Sequence, residues 1–432
     1  EQINLREEAE IFMANREKTN RERKMIVVGG GLIGLTIALE LQKAGIDTLL
    51  LEKEQVGRGA SWGNAGHIAT EQVYPIADPS MLKSLPKMLL DPLGPLRIDW
   101  RYLPQLMPWG MKLLSNMRSA PFERIHQSLR VLNRAALPSW ERFKERWALQ
   151  SWVKIEGSLL VAEREQSLEQ LQKHGEKLNA LDIKNQLLER QALLDKAPAL
   201  ADSQLGALLF PDTGHIVDLS ALIDHLLTQF QQLGGSMIEN YEVDSIKKLS
   251  SKKVEVVANG ELFTAESIVL ATGAFSKPFA KALSGFNLPL ETERGYHLML
   301  PHEKERLSIP ISSIDRKFIM TPMNQGLRLA GTVEYGGLKL PPDMRRAQNF
   351  LPLATPMLKE PLNATDATEW MGFRPTMADS LPVIDQVDNC YYAFGHQHLG
   401  ITHATLTAEI ITALYLNQPP PIDVKPFAID RF

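Results

Sequence analysis

From Lys24 the chain falls into a regular succession of apolar and polar positions. KMIVV is a short apolar run rich in β-branched residues, the glycines of GGGLIG follow, and LTIALELQKAG carries apolar residues at helical spacing up to a glycine. IDTLLLE then reads as a second strand, so the stretch predicts a βαβ unit. Ahead of it, residues 1–23 mix charges with short apolar patches and lack an apolar signal core, which predicts an exposed helical extension.

Further along, residues 74–117 are rich in Pro, Leu, Met and Trp, and the repeated prolines predict short, broken helices. GSLLVAE and GALLFPD read as strands flanking the charged helix EQSLEQLQKHGEKLNAL. DLSALIDHLLTQFQQLGG has helical spacing, and VEVVANGELFTAESIVLATGAF reads as a hairpin running into a buried strand. RGYHLML and GLRLAGTVE predict an antiparallel sheet, and YYAFG followed by ITHATLTAEIITALYLN predicts a closing strand and helix.

The pattern predicts an α/β (α+β) protein with a Rossmann-like nucleotide domain that is discontinuous in sequence. Its expected pieces are 24–80, 200–287 and 367–432, with the extension at 1–23 outside it. A second, antiparallel-sheet substrate domain is expected from 81–199 and 288–366.

Charge narrows the partners. Lys and Arg total 47 against 51 Asp and Glu, a net charge of -4, which argues against nucleic acid. The single cysteine, Cys390, rules out an internal disulfide framework and suits a reducing, cytoplasmic setting. No run of eighteen apolar residues is present, but residues 81–114 are apolar enough to suggest peripheral contact with the inner face of a membrane.

The glycine turn carries the chemistry. Gly29, Gly31 and Gly34 form G-x-G-x-x-G, with Leu32 and Ile33 between the last two, between a strand and a helix whose N-terminus would face a diphosphate. Glu52 ends the second strand 18 residues after Gly34, where a carboxylate can accept from an adenosine ribose. Thr272 and Gly273, at the end of the distant strand SIVLATG, resemble the second flavoprotein motif, and that resemblance favours FAD over NAD.

These residues, together with RGASWGNAGHI, RGY, GFRPTMADSLPVID and GHQHLGITHA, resemble the FAD-dependent D-amino-acid oxidase and dehydrogenase superfamily over most of the chain. The D-amino-acid dehydrogenase small-subunit branch is nearest in look. The resemblance implies further FAD contacts from Lys53, Arg58, Ser61, Asn64, Ala65, Gly66 and His67. It also implies contacts from Gly395, His396, Gln397, His398, Leu399, Gly400 and Ile401, whose backbone amides would face the flavin carbonyl. No third ligand accompanies His396 and His398, so no metal is expected.

For the substrate, the resemblance implies that Arg374 binds an amino-acid carboxylate, assisted by Tyr296, with His67 and His398 close by. An ion pair with Glu369 or Asp379 is the alternative for Arg374, and a plain strand tyrosine the alternative for Tyr296. Because WMGFRP has no cysteine, FAD is expected to be noncovalent. The implied reaction is oxidative deamination of a D-amino acid by hydride transfer from Cα to flavin N5. Secondary amines of the glycine, sarcosine, proline or hydroxyproline type are an alternative, and a flavin-holding scaffold or electron-transfer subunit is another. The electron acceptor, quinone or otherwise, is open.

Overall fold

The computed structural model describes residues 22–79 and 91–432. The extension expected over residues 1–23 thus lies outside the described residues but for Glu22 and Arg23, as does the 80–90 part of the proline-rich stretch.

One sheet is built around strand Arg23–Val28, which runs parallel to Thr48–Leu51 on one side and Glu261–Leu270 on the other. Ser236–Ile238 extends it beyond Thr48–Leu51, and Cys390–Phe394 beyond Glu261–Leu270, both in parallel. A parallel sheet is covered on both faces, which is why its strands read as unbroken apolar runs. Met25 and Val27 face the helices Leu32–Lys43, Ser119–Arg146, Leu219–Gln232 and Gly400–Tyr415, while Ile26 and Val28 face a second apolar cluster that includes Phe263 and Phe394. The sequence-predicted hairpin is present: Lys253–Ala258 returns as Glu261–Leu270 through Asn259 and Gly260, at φ 48° and 75°, a pair that matches the right-handed strand twist.

The second sheet centres on Leu290–Leu300, paired antiparallel with Thr368–Met377 on one side and Gly326–Tyr335 on the other. It continues through Phe318–Met323, Ile311–Ser313, Ser158–Ala162, Gly206–Phe210 and Gln186–Glu189. Two strands therefore lie across the expected boundary. Gly206–Phe210 and Thr368–Met377, assigned from sequence to the nucleotide domain, belong to this sheet because their ladders are made with Ser158–Ala162 and Leu290–Leu300. A small ribbon of His67–Ile68, Gly214–Ile216 and Val153–Lys154 stands apart from both large sheets.

The prolines do not break the chain where the sequence suggested. Helix Leu103–Asn116 runs through Pro108. Pro104 sits in the first turn, where no intrahelical N–H bond is owed, whereas Pro108 forfeits one. Burial of Leu106 and Trp109 beside Tyr335 and Ala378 offsets that loss, and Trp109 donates to the Thr376 carbonyl at 3.1 Å.

Candidate active site

The glycine turn is shaped by close approach. Gly29 has φ +101°, and a Cβ there would lie 2.4 Å from the Ala271 carbonyl oxygen. A Cβ on Gly34 would lie 1.8 Å from the Gly29 oxygen, so this glycine lets the helix sit against the strand. Gly31 is different: a Cβ there meets only Ser61 Oγ, at 3.4 Å, which leaves its outer side open. Glu52 closes the strand beside the turn, accepting from Gly30 N at 2.7 Å and from Glu54 N at 3.0 Å. Ser61 Oγ accepts from Leu32 N at 2.9 Å, at the first residue of the helix, and Ile33 follows packed on the core.

Other residues named from sequence gather around this turn or depart from it. Thr272 lies against Gly29 and hydrogen-bonds Ser276 at 2.9 Å, and Gly273 takes φ +54°. The Lys53 ammonium sits 3.8 Å over the Phe275 ring. Arg58 turns instead to Ser220 Oγ at 2.7 Å and Asp224 at 3.5 Å, so its guanidinium clamps the loop to helix Leu219–Gln232.

The rest of that loop faces a cavity of about 730 Å³ lined by Ala60, Gly63, Asn64, Ala65 and His67. Asn64 Oδ1 accepts from Gly66 N at 2.9 Å, with Gly66 at φ +75°. Arg328, in the second sheet, donates to the carbonyls of Trp62 at 2.9 Å and Asn64 at 2.6 Å, and His297 Nδ1 donates to the Gly63 carbonyl at 2.8 Å. A Cβ on Gly63 would lie 2.2 Å from the Trp370 ring. His67 bonds Ser158 Oγ at 3.2 Å, and burial pushes its imidazole down to about 4.

Opposite the loop, the entry to helix Gly400–Tyr415 is bent by Gly395 at φ +83° and by Gln397 at φ +54°, whose amide donates to the Ser380 carbonyl. His396 points into the core toward Thr407 Oγ1 at 3.0 Å, whereas His398 lines the cavity and bonds Gln72 Oε1 at 2.6 Å. Leu399 N closes a turn on the His396 carbonyl, and Gly400 and Ile401 begin the helix. Burial, with smaller contributions from Arg374 and His67, pushes His398 down to about 4.

Arg374 stands at the far wall of the cavity. Its guanidinium donates to the Thr332 carbonyl at 3.0 Å and packs over Gly295, where a Cβ would lie 2.3 Å from it. Neither alternative partner engages it: Glu369 accepts from Gln348, and Asp379 pairs with Arg431 at 2.7 Å. No carboxylate lies within ion-pair distance of Arg374 among the described residues. Burial lowers its pKa, and the charge of Glu293, opposite it across the strand pair, holds it up.

Tyr296 also lines the cavity, but its hydroxyl is engaged elsewhere. Its hydroxyl donates to Glu334 at 2.5 Å and accepts from Asp343 N at 3.2 Å, so it is committed within the second sheet's core. The tyrosine beside Arg374 is Tyr335, whose hydroxyl donates to Glu293 at 2.9 Å. Glu293, Tyr335, Arg328 and Gln72 were not singled out from sequence; only the strand register and the loop crossing bring them here.

FAD fits what these residues offer: an open Gly31 at a helix N-terminus, a carboxylate on the ribose side, and a cavity that starts at small loop residues. Comparison with known proteins agrees. Residues 24–414 match the family described as FAD dependent oxidoreductase. A D-amino-acid oxidase of Bradyrhizobium diazoefficiens is 30% identical over 428 residues, covering 95% of this chain and 99% of the relative. A D-amino acid dehydrogenase of Helicobacter pylori is 26% identical over 401 residues, 91% of this chain and 95% of its own. Among solved structures, glycine oxidase from Geobacillus kaustophilus superposes with a TM-score of 0.72 at 21% identity, covering 96% of this chain and all (100%) of its own. With turn, acid, cavity and sequence in agreement along almost the whole chain, this protein belongs to the FAD dependent oxidoreductase family.

Proposed function

We propose that the chain is an FAD-dependent amino-acid dehydrogenase or oxidase that deaminates D-amino acids. The observation that carries the reading is Arg374: a partly buried guanidinium on the cavity wall, with no carboxylate in ion-pair range among the described residues. A planar guanidinium so placed suits a ligand carboxylate, which it can bind through two parallel hydrogen bonds. The names of the two curated relatives support the D-amino-acid class.

FAD, when bound, supplies the two-electron acceptor. The chain's own residues do the rest. Arg374 fixes the carboxylate and thereby the position of Cα, while Ile76, Leu96, Ile98, Leu106 and Trp109 keep water from the cavity. His67 and His398, neutral above about pH 4, add no positive charge that would repel the substrate's ammonium group as it enters. Loss of a hydride from Cα and a proton from nitrogen leaves an imino acid, which water converts to a 2-oxo acid and ammonia.

Anaerobic mixing of the FAD-loaded protein with a panel of D- and L-amino acids, sarcosine and proline tests this. Bleaching of the flavin by primary D-amino acids is expected. Bleaching only by secondary amines moves the substrate class, and no bleaching by any of them replaces the enzyme with a flavin-holding scaffold. FAD should leave with the supernatant on acid precipitation, since Cys390 is buried in its strand.

We further propose that helix Leu103–Asn116 docks on a lipid surface. Among the described residues no helix is long and apolar enough to cross a membrane. Yet Trp100, Met107, Met111 and Leu114 are 64%, 51%, 60% and 54% exposed, an outward apolar stripe on and beside that helix. Flotation with anionic vesicles should carry the protein up, and Trp100→Ser, outside the cavity wall, should weaken it. Failure of the native protein to float removes the proposal.

A further inference from the structure

We infer that Glu293 sets the charge of the carboxylate pocket, so that a carboxylate entering beside Arg374 is accompanied by uptake of one proton on Glu293. The inference rests on the reading of Arg374 as the carboxylate site.

The geometry is a cross-strand pair. Glu293 lies directly opposite Arg374 in the ladder between Leu290–Leu300 and Thr368–Met377, so the two side chains share a face, and both line the cavity. Glu293 is only 4% exposed. Its Oε1 accepts from the Tyr335 hydroxyl at 2.9 Å, which holds the carboxyl group toward Arg374 rather than toward solvent. The two groups are not in ion-pair contact, which leaves the face of the guanidinium open to a second acceptor.

Among the described residues, the charged or titratable groups that share the cavity with this pair include Lys317 and Tyr296 on its wall. Arg374 comes from the neighbouring strand, Tyr335 from the strand on the other side, and Glu291, bonded by Tyr102, from two residues before Glu293. His398 approaches Arg374 from the entry to the closing helix, with His67 behind it. Both histidines are neutral above about pH 4, and burial holds the Tyr335 hydroxyl protonated. The local balance is between Arg374 and Glu293, which face each other directly across the ladder.

A ligand carboxylate upsets that balance. Two carboxylates would share one guanidinium in a site walled by Leu106, Trp109, Leu96 and Ile98, and like charges in such a site cannot both stay ionised. Burial already pushes the Glu293 carboxyl above its ordinary value. Glu293 is therefore the group that takes the proton, and when protonated it keeps an oxygen free to accept from Tyr335. It acts on the substrate through Arg374 and is a positioning residue, not a catalytic one.

The probe is 4-methylpentanoate, a leucine skeleton without its amine, which cannot be oxidised by this route. Calorimetric titration into the FAD-loaded enzyme at pH 8, in two buffers of different ionisation enthalpy, counts protons; about one per ligand is expected, and Kd should rise roughly tenfold per pH unit. In Glu293→Gln the count should fall to zero, and Kd should become flat with pH and lower than native at pH 8. Binding without proton uptake by the native enzyme overturns the inference but leaves the Arg374 reading intact, as does uptake that persists in Glu293→Gln. Absence of binding by the native enzyme, or unchanged binding in Arg374→Lys, sinks the reading of Arg374 instead. The native proton count and pH slope need no variant, so misfolding of Glu293→Gln leaves the test decisive.

Discussion

Gly34 and Arg374 are single positions where the local geometry leaves little choice. Any Cβ at Gly34 lands 1.8 Å from a backbone oxygen, so Gly34→Ala must push helix Leu32–Lys43 off the strand, at a cost of about 3 kcal/mol. The expected outcome is protein that purifies without flavin, read from its absorbance. Arg374→Lys replaces a fork by a point charge; a loss of about 3 kcal/mol, or roughly a hundredfold in kcat/KM, is expected in steady-state assays. The glycine turn was legible in the sequence because it is a short contiguous motif, and Arg374, proposed as the carboxylate site, was singled out through the GFRP motif. Tyr335 and Glu293 were not, because a strand bulge between Arg294 and Tyr296 decides which tyrosine meets the arginine.

Buried histidines give a pH dependence whose sign follows from burial. His67, His215, His297, His396 and His398 are held down to about 4, 4, 3, 3 and 4. In the unfolded chain they bind protons near their ordinary 6.5, so between about pH 6.5 and 4 the unfolded state holds more protons. Stability present above pH 6.5 is lost as pH falls through this window. Melting temperature should therefore be flat with respect to these groups above pH 7 and drop steeply below 6.

At the scale of elements, strand Leu290–Leu300 shows why patterning reached only part of the answer. RGYHLML was read as a strand, and it is one, but every residue of Leu290–Leu300 is buried, including Glu291, Glu293 and Arg294. Alternation of apolar and polar residues identifies a half-wet strand; here the polar residues face a cavity or each other, and alternation loses its meaning. The hairpin at Asn259 and Gly260 was legible because its two residues alone specify the turn. Gly260→Val should cost about 1–2 kcal/mol by thermal melting, since φ 75° suits no branched residue. The helix through Pro108 was misjudged for the opposite reason, since tertiary burial offset a local penalty that sequence states plainly.

Across the whole molecule, the central strand Arg23–Val28 has neighbours drawn from residues 48–51 and 261–270, and the cavity is walled by the 60–76 loop, helix Leu103–Asn116 and the second sheet. The cavity's mostly apolar walls favour large apolar side chains: at about 0.8 kcal/mol per buried CH₂, D-leucine should exceed D-alanine by at least roughly tenfold in kcat/KM. D-aspartate should be poor, because Glu293 already supplies a buried carboxylate. Competition assays between these substrates would read both effects.

Arg328 ties these scales together. Its guanidinium leaves the second sheet to hold the carbonyls of Trp62 and Asn64, so the loop proposed to meet the cofactor takes its shape from a strand more than 250 residues away in the chain. The pocket for FAD thus does not exist while the chain is still emerging or half folded. Capture of the cofactor becomes the final act of maturation, and yellow colour reports that the entire chain has closed, not merely its first βαβ unit. In refolding experiments, quenching of free-flavin fluorescence should lag behind recovery of secondary structure, and Arg328→Met should lengthen that lag.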